Sequence, residues 1–262
     1  MSFKEKVILI TGASSGIGES VSQVFSKEGG NVVLVGRNEE KLWKVAEKCE
    51  SYGSKTLVIT ADLTKDEDLK KIIQNTLKDF GKIHVLVNNA GIAGMESIIS
   101  ETAMQMFDKM IATNLRPAVY LTHLCVPYLI ETKGNIINIG SIAACAPLFC
   151  ENFSYSTSKA ALDNFTKCIA FELAPKGVRA NTVNPGPVKT NFMDAMNIDK
   201  NSQEDLWQVL IKGSALGKAI DPEEIAALVI FLASDKAKSI TGVSYVIDNG
   251  VLLKGFMKET DN

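Results

Sequence analysis

The stretch Val7-Ile8-Leu9-Ile10-Thr11-Gly12-Ala13-Ser14-Ser15-Gly16-Ile17-Gly18 decides how this chain folds. Its apolar, β-favouring start runs without alternation, the pattern of a strand covered on both faces. The run ends in small residues and glycines. Ile17, Val21, Val24 and Phe25 then recur at the spacing of one helix face. Strand, tight turn and helix together are the opening unit of a parallel α/β sheet.

The rhythm repeats along the chain. Strand candidates follow at Asn31–Val35, Thr56–Ile59, His84–Asn88, Asn135–Ile139, Arg179–Val183 and Val243–Ile247. Leu42, Val45, Ala46 and Cys49 make one further helical face, and Leu69, Ile72, Ile73, Thr76, Leu77 and Phe80 another. Thr64-Lys65-Asp66-Glu67 reads as a capping box opening the second of these, and Gly29-Gly30 as the stop of the first helix. The expectation is a single domain over 1–262: a doubly wound, Rossmann-type, parallel seven-stranded sheet with helices on both faces. One region breaks the pattern, from Val188 to about Gly217, ahead of a helix starting near Asp221-Pro222. An excursion of that length is usually a lid or binding loop, so 188–217 is expected to cover a substrate.

Composition limits the function classes. The 262 residues are 46% hydrophobic and 22% charged, which suits one large folded core. A net charge of −2 argues against nucleic acid or an anionic membrane as a partner. No apolar run is long enough for a signal peptide or a bilayer span, so a soluble, cytoplasmic chain is expected. The five cysteines form no CxxC pair and read as small buried residues kept reduced. His84 and His123 share no metal-ligand spacing and read as structural, so no metal is expected.

The glycine cluster carries the first chemistry. At a strand–helix junction it lets the backbone turn sharply and lets a pyrophosphate approach, while the helix N-terminus offers free N–H groups and a positive dipole end. The end of the second strand chooses the nucleotide. A carboxylate there would bind the ribose 2′-OH of NAD; this chain has Gly36 and Arg37. Gly36 leaves room, and the Arg37 guanidinium matches a 2′-phosphate in charge and geometry, so NADP is expected and NAD disfavoured. Asn88-Asn89-Ala90-Gly91 suits a bend beside a flat ligand or an ordinary turn, and Asp62 could be a turn residue.

Tyr155 and Lys159 are four residues apart, ahead of and within a helix expected at Ser158–Ala174, which puts them on one face. A nearby ammonium favours the phenolate and is expected to draw the phenol's pKa down toward a useful range. Ser141 lies just past the fifth strand and Asn114 in the helical stretch before it. Residues far apart in sequence but at one sheet edge mark the ligand crevice of such folds.

TGASSGIG (11–18), NNAG (88–91), Asn114, Ser141, YSTSK (155–159) and NPGPVKT (184–190) occur in this order, and together the chain resembles the short-chain dehydrogenase/reductase family over almost its whole length. The resemblance implies the strand order 3-2-1-4-5-6-7 and a homotetramer or homodimer. It implies Tyr155 as general acid/base and Ser141 as holder of the substrate oxygen. Lys159 would lower the tyrosine pKa and bind the nicotinamide ribose, and Asn114 would position a proton-relaying water. By the same resemblance the cofactor would be lined by Gly12, Ser14, Ser15, Gly16, Ile17, Gly18, Arg37, Asp62, Leu63, Asn88, Ala90, Gly91, Tyr155, Lys159, Pro185, Gly186, Val188 and Thr190. Two departures stand out. Ser141 and Tyr155 are fourteen apart, a residue or so longer than usual, so the loop through Phe149 and Asn152 must bulge. Ser15 is neutral where some NADP-preferring members carry a basic residue, leaving Arg37 as the main charged determinant.

The function so implied is hydride transfer between NADP(H) and a small carbonyl or alcohol. Candidate pocket segments are apolar: Ile92, Ala93 and Met95; Pro147, Leu148 and Phe149; Val188, Phe192, Met193 and Met196; Leu206 and Trp207. With no cationic cluster among them, a ketone, alcohol or steroid-like molecule fits better than a sugar phosphate. A 3-oxoacyl thioester on a carrier stays possible through Lys133 and Lys176, though Glu131 weighs against it. A non-catalytic, nucleotide-sensing regulator on the same fold is the alternative from another class. The presence of both Tyr155 and Lys159 counts against it. A methyltransferase would want an acid where Gly36-Arg37 stands.

Overall fold

Ile8 and Ile10 of the first strand enter one hydrophobic core while Val7 and Leu9 enter another. This is why that strand reads as continuously apolar: both faces are covered. The computed structural model describes residues 3–148, 150–190 and 200–254, without the side chains of 200–204 and 206. Its strands are β1 (Val7–Thr11), β2 (Asn31–Gly36), β3 (Thr56–Thr60), β4 (Val85–Asn88), β5 (Asn135–Ile139), β6 (Arg179–Pro185) and β7 (Ser244–Ile247). They form one seven-stranded sheet in the order β3-β2-β1-β4-β5-β6-β7, parallel at every pairing. The expected fold class and strand order are both present. Burial grades along the sheet as position demands: β1 and β5 are buried throughout, the edge strands β3 and β7 only in part.

The helices are α1 (Gly16–Lys27), α2 (Glu39–Glu50), α3 (Asp66–Phe80), α4 (Ala103–Met110), α5 (Arg116–Thr132), α6 (Phe153–Leu173), α7 (Lys200–Lys212), α8 (Pro222–Ala233) and α9 (Val251–Lys254). Val21 and Phe25 of α1, Leu42 of α2 and Ile225 and Val229 of α8 fill the first core. Leu69 and Ile72 of α3, Leu121 and Leu129 of α5 and Leu173 of α6 fill the second. Gly29 ends the first helix stretch with a left-handed backbone (φ 85°), its N–H donating to the Ser26 carbonyl.

Several local expectations need correction. Thr64 does not cap α3; its hydroxyl donates instead to Asp62 Oδ1 at 2.8 Å, and the helix starts from Lys65 with no side-chain cap. The carboxylate of Asp62 is the nearer partner and wins the hydroxyl. The capping pattern falls at α8, where Glu224 accepts the N–H of Asp221 at 3.0 Å. Helix α6 begins at Phe153 rather than Ser158, so Tyr155 sits within its first turn. The 188–217 excursion is not all loop, since α7 lies inside it. Only Cys49 and Cys125 are buried; Cys145, Cys150 and Cys168 are exposed. His84 is structural, accepting the Val7 N–H at 2.9 Å.

Candidate active site

The sheet order reverses between β1 and β4, and the carboxyl ends of these two strands open the crevice where such folds take ligands. Thr11, the last residue of β1, holds the two ends together. Its hydroxyl accepts the N–H of Asn89 at 3.0 Å and of Ala90 at 3.1 Å. The Asn89 amide returns the connection, donating to the carbonyls of Thr11 (2.9 Å) and Gly12 (3.1 Å). The glycine loop is thereby stitched to the loop after β4. Neither residue was a candidate from sequence beyond a turn. A hydroxyl ending an apolar strand, with a doubled asparagine at the end of another, is the signal that would have found them.

The glycines are required by this stitching. Gly12 has a left-handed backbone (φ 65°), and a Cβ there would lie 2.8 Å from Asn89 Nδ2. A Cβ at Gly18 would lie 2.2 Å from the Gly12 carbonyl oxygen. Ser15 stands at the N-cap of α1 without a side-chain cap, which leaves the first-turn N–H groups uncapped from within. A pyrophosphate fits that donor set and dipole. Ser15, Gly16 and Thr190 border a cleft of about 280 Å³ shared with Glu19, Lys189 and Glu223. The Ile17 side chain packs against the core.

At the end of β2, a Cβ on Gly36 would meet Leu42 Cδ2 at 3.4 Å and Ser14 Oγ at 3.5 Å, ordinary contacts. Packing therefore does not demand glycine here. Arg37 is exposed beside it. The Asp62 carboxyl is held below its usual range chiefly by hydrogen bonds from Thr64, with the Arg37 charge a further cause, so the guanidinium and Asp62 share one edge of the crevice. Leu63, Asn88 and Ala90 line a small void of about 10 Å³ with Thr11 and Thr113. The Asn88 side chain does not reach the crevice: it is buried, donating to Asn138 Oδ1 (2.8 Å) and Thr122 Oγ1 (3.2 Å).

On the other side of β4 the expected catalytic residues converge. Asn114 lies in a wide π turn, Ile111–Leu115, joining α4 to α5. Pro117 has no N–H to return to the carbonyl four residues back, which breaks the regular ladder there. Both ends of the Asn114 amide are engaged: Oδ1 accepts the Ile92 N–H at 2.8 Å, and Nδ2 donates to the Ile92 carbonyl (3.0 Å) and Ser158 Oγ (3.2 Å). Gly91 is wedged between Asn114 and Lys159, where a Cβ would lie 3.3 Å from Asn114 Oδ1 and 3.4 Å from Lys159 Nζ.

Tyr155 and Ser141 are hydrogen-bonded to each other. Ser141 has extended backbone and its Oγ accepts the Ala143 N–H at 3.1 Å. Lys159 is buried, with Nζ donating to the Ile139 carbonyl at 2.9 Å. The electrostatics differ from the sequence expectation. Burial pushes the Tyr155 phenol up to about 12, against the lowering effect of the Ser141 bond. Burial also pulls the Lys159 ammonium down to about 8. Desolvation disfavours the charged form of each group, because both are taken out of water. The phenol is thus held protonated at neutral pH, the form that donates a proton.

Glu151 and Asn152 lie in the connection from Ser141 to Tyr155, of which Phe149 is outside the described residues. Glu151 is left-handed (φ 62°), and its carbonyl accepts the Glu96 N–H at 2.6 Å, tying this loop to the one after β4. Pro185 ends β6, Gly186 donates its N–H to the Ile247 carbonyl (2.8 Å), and Val188 bridges to Ile220, so this segment is fixed to β7 and the start of α8. Of the apolar pocket candidates, Ala93 is buried, Met95 and Pro147 are exposed, and Ile92, Leu148, Val188 and Trp207 are intermediate. Phe149, Phe192, Met193, Met196 and the side chain of Leu206 lie outside the described residues.

The chain is similar to known proteins over almost its whole length. The sequence model of the family described as "Enoyl-(Acyl carrier protein) reductase" matches residues 12–252. The chain is 34% identical over 254 residues to cyclohexanol dehydrogenase of Acinetobacter sp. (strain SE19), covering 96% of this chain and 97% of that one. Among solved structures, a short-chain dehydrogenase/reductase of unknown function from Caenorhabditis elegans, crystallised with cofactor, superposes with a TM-score of 0.89 at 35% identity, over 96% of each chain. A 7α-hydroxysteroid dehydrogenase complexed with NADH and 7-oxo glycochenodeoxycholic acid superposes with a TM-score of 0.88 at 26% identity, over 95% of this chain and 96% of that one. Among the described residues, no helix is long and apolar enough to cross a membrane.

Proposed function

Because the chain belongs to the short-chain dehydrogenase/reductase family and is an NAD(P)-dependent oxidoreductase acting on alcohols and carbonyls, we propose that it is an NADPH-preferring reductase of apolar ketones, with Tyr155 as the proton donor. The observation that carries this reading is the Tyr155–Ser141 hydrogen bond with Lys159 beneath it. When bound, the nicotinamide supplies or accepts the hydride. The protein's part is to manage the oxygen. As a carbonyl carbon gains a hydride its oxygen gains charge, Ser141 and Tyr155 donate hydrogen bonds to that oxygen, and Tyr155 passes it a proton. Lys159 steadies the phenolate left behind. Asn114 fixes the main chain around Gly91 beside Lys159 and is where a relaying water would be held. In the alcohol-oxidising direction the same groups act in reverse.

The glycine loop would hold the pyrophosphate, Arg37 the 2′-phosphate, Thr190 would lie near the carboxamide, and Asp62, Leu63, Ala90 and Gly91 would meet the neighbouring parts of the dinucleotide, with Asn88 acting from behind. Pro185, Gly186 and Val188 would form the floor near the nicotinamide. The neutral, apolar composition of Ile92, Ala93, Pro147, Leu148 and Trp207 favours a hydrophobic ketone. The substrates in the names of the cyclohexanol and hydroxysteroid relatives are of that class. The 188–217 segment would cover the substrate. We assign assembly to a dimer or tetramer through α5 and α6, supported by Phe171 of α6, which is 87% exposed. The test of function is loss of NADPH absorbance with cyclic and steroid ketones. Turnover on these and not on sugar phosphates is expected; turnover confined to carrier-bound acyl thioesters would overturn the substrate class. Light scattering at micromolar concentration should give at least a dimer.

A further inference from the structure

We infer that Asn184 is a positioning residue for Ser141, holding the active-site serine in place from the cofactor-lining strand. The inference rests on the reading of Ser141 as the hydroxyl that meets the substrate oxygen. Strands β5 and β6 pair in register up to Ile139 opposite Val183. One more main-chain bond follows, from the Gly140 N–H to the Val183 carbonyl at 2.8 Å. Beyond that point the strands part: β6 runs on with β7 through Asn184 and Pro185, while β5 turns away into Ser141. Alternate N–H groups of β5 face opposite neighbours, Gly140 toward β6 and Asn135 toward the His84 carbonyl on the β4 side, so the Ser141 N–H falls past the last β4 pairing (Asn88 opposite Asn138) and gets no main-chain acceptor from either ladder.

The Asn184 side chain takes that place. Its Oδ1 accepts the Ser141 N–H at 3.0 Å. Asn184 is fully buried, so water cannot substitute for it. The other end of the amide faces the Cys145 sulfur, Nδ2 to Sγ 3.9 Å, a weak contact on the same loop. The preceding residue is shaped for this contact: a Cβ at Gly140 would lie 1.9 Å from Asn184 Oδ1. Gly140 and Asn184 thus form a matched pair, and together they fix the extended backbone of Ser141 (φ −169°, ψ 154°). Its Oγ then accepts from the Ala143 N–H at 3.1 Å and stays in hydrogen-bonding reach of Tyr155. Asn184 directly precedes Pro185-Gly186, so one side chain links Ser141 to the segment that would line the cofactor.

The experiment is a double-mutant cycle of Asn184→Ala and Ser141→Ala, reading kcat for ketone reduction and the NADPH dissociation constant by cofactor fluorescence. Asn184→Ala is expected to lower kcat by about tenfold, the worth of one ordinary buried hydrogen bond, with NADPH affinity within about twofold. In the Ser141→Ala background the same change should alter kcat by less than about twofold, since nothing remains to position. Asn184→Asp, which keeps an acceptor oxygen at that place, should recover part of the loss. Equal losses in both backgrounds would overturn the inference by making Asn184 a general structural residue, as would a harmless Asn184→Ala beside a crippled Ser141→Ala. If Asn184→Ala fails to bind NADPH, the Asn184→Asp cycle decides by the same criterion. A Ser141→Ala enzyme close to the parent would instead overturn the active-site reading on which the inference rests.

Discussion

Lys159 Nζ lies 5.8 Å from the centre of the Tyr155 ring and donates its hydrogen bond to the carbonyl of Ile139. The ammonium thus stands under the phenol as a charge, not as its direct proton partner. Burial has lowered its pKa from 10.5 to about 8, so the positive charge is present below that pH and is lost as the pH rises through it. Tyr155, at about 12, stays protonated over the same range. Ketone reduction should therefore hold steady from about pH 6 to 7 and fall with an inflection near 8, as the phenolate formed in the step loses its counter-charge. In Lys159→Arg the guanidinium stays charged and the inflection should vanish even though the rate is lower. A pH–kcat profile from 6 to 10 checks both statements. The same inflection in Lys159→Arg would exclude Lys159 as its source.

Arg37 should carry the choice between NADPH and NADH. A charge-assisted contact to the 2′-phosphate is worth about 1.5–3 kcal/mol, so Arg37→Leu should weaken NADPH binding by about 10- to 150-fold and leave NADH nearly unchanged. Gly36→Asp should fold, since a Cβ there meets only ordinary contacts, and should move preference further toward NADH. The readout is the ratio of kcat/KM for the two cofactors. A ratio near one in the parent, or one unmoved by Arg37→Leu, would make Arg37 a surface residue only.

Thr11 should matter to stability and to cofactor binding together. Thr11→Val keeps the shape but leaves the N–H groups of Asn89 and Ala90 without their acceptor. Leaving such groups unpaired costs about 1–3 kcal/mol each. A net loss of about 2 kcal/mol would lower Tm by roughly 4–8 °C in a chain of this size. NADPH affinity should fall with it, because the glycine loop loses its tie to β4. Thr11→Ser should restore both. Thermal unfolding and cofactor titration of the three proteins decide the matter; a Thr11→Val protein as stable as the parent would mean the bonds carry no weight.

The fold was legible because its signals are local. Unbroken apolar runs such as Ile136-Ile137 mark strands covered on both faces, and the spacing of Leu69, Ile72 and Ile73 marks a helix face. The approach of Tyr155, Lys159 and Ser141 was legible too, since sheet topology brings the ends of β4, β5 and β6 together. Other features depend on contacts between distant segments. Thr11 reaching Asn89, or Asn184 reaching Ser141, leaves no periodic trace in the chain. The sign of the Tyr155 shift was missed for a related reason: spacing reports which charge is near, while burial, here the larger effect, depends on everything packed around the pair. Asp62 likewise took the Thr64 hydroxyl from the helix cap by a competition that motif reading does not weigh.

The central claim is that Tyr155 delivers the proton. The direct measurement is single-turnover ketone reduction by Tyr155→Phe, with the NADPH dissociation constant determined on the same protein. General acid catalysis of this kind is worth about 10²–10⁴ in rate, so the rate should fall by that factor or more while NADPH affinity stays within about threefold of the parent. A Tyr155→Phe enzyme turning over within about tenfold of the parent would contradict the account, because no proton-transfer role of that size could then belong to the phenol.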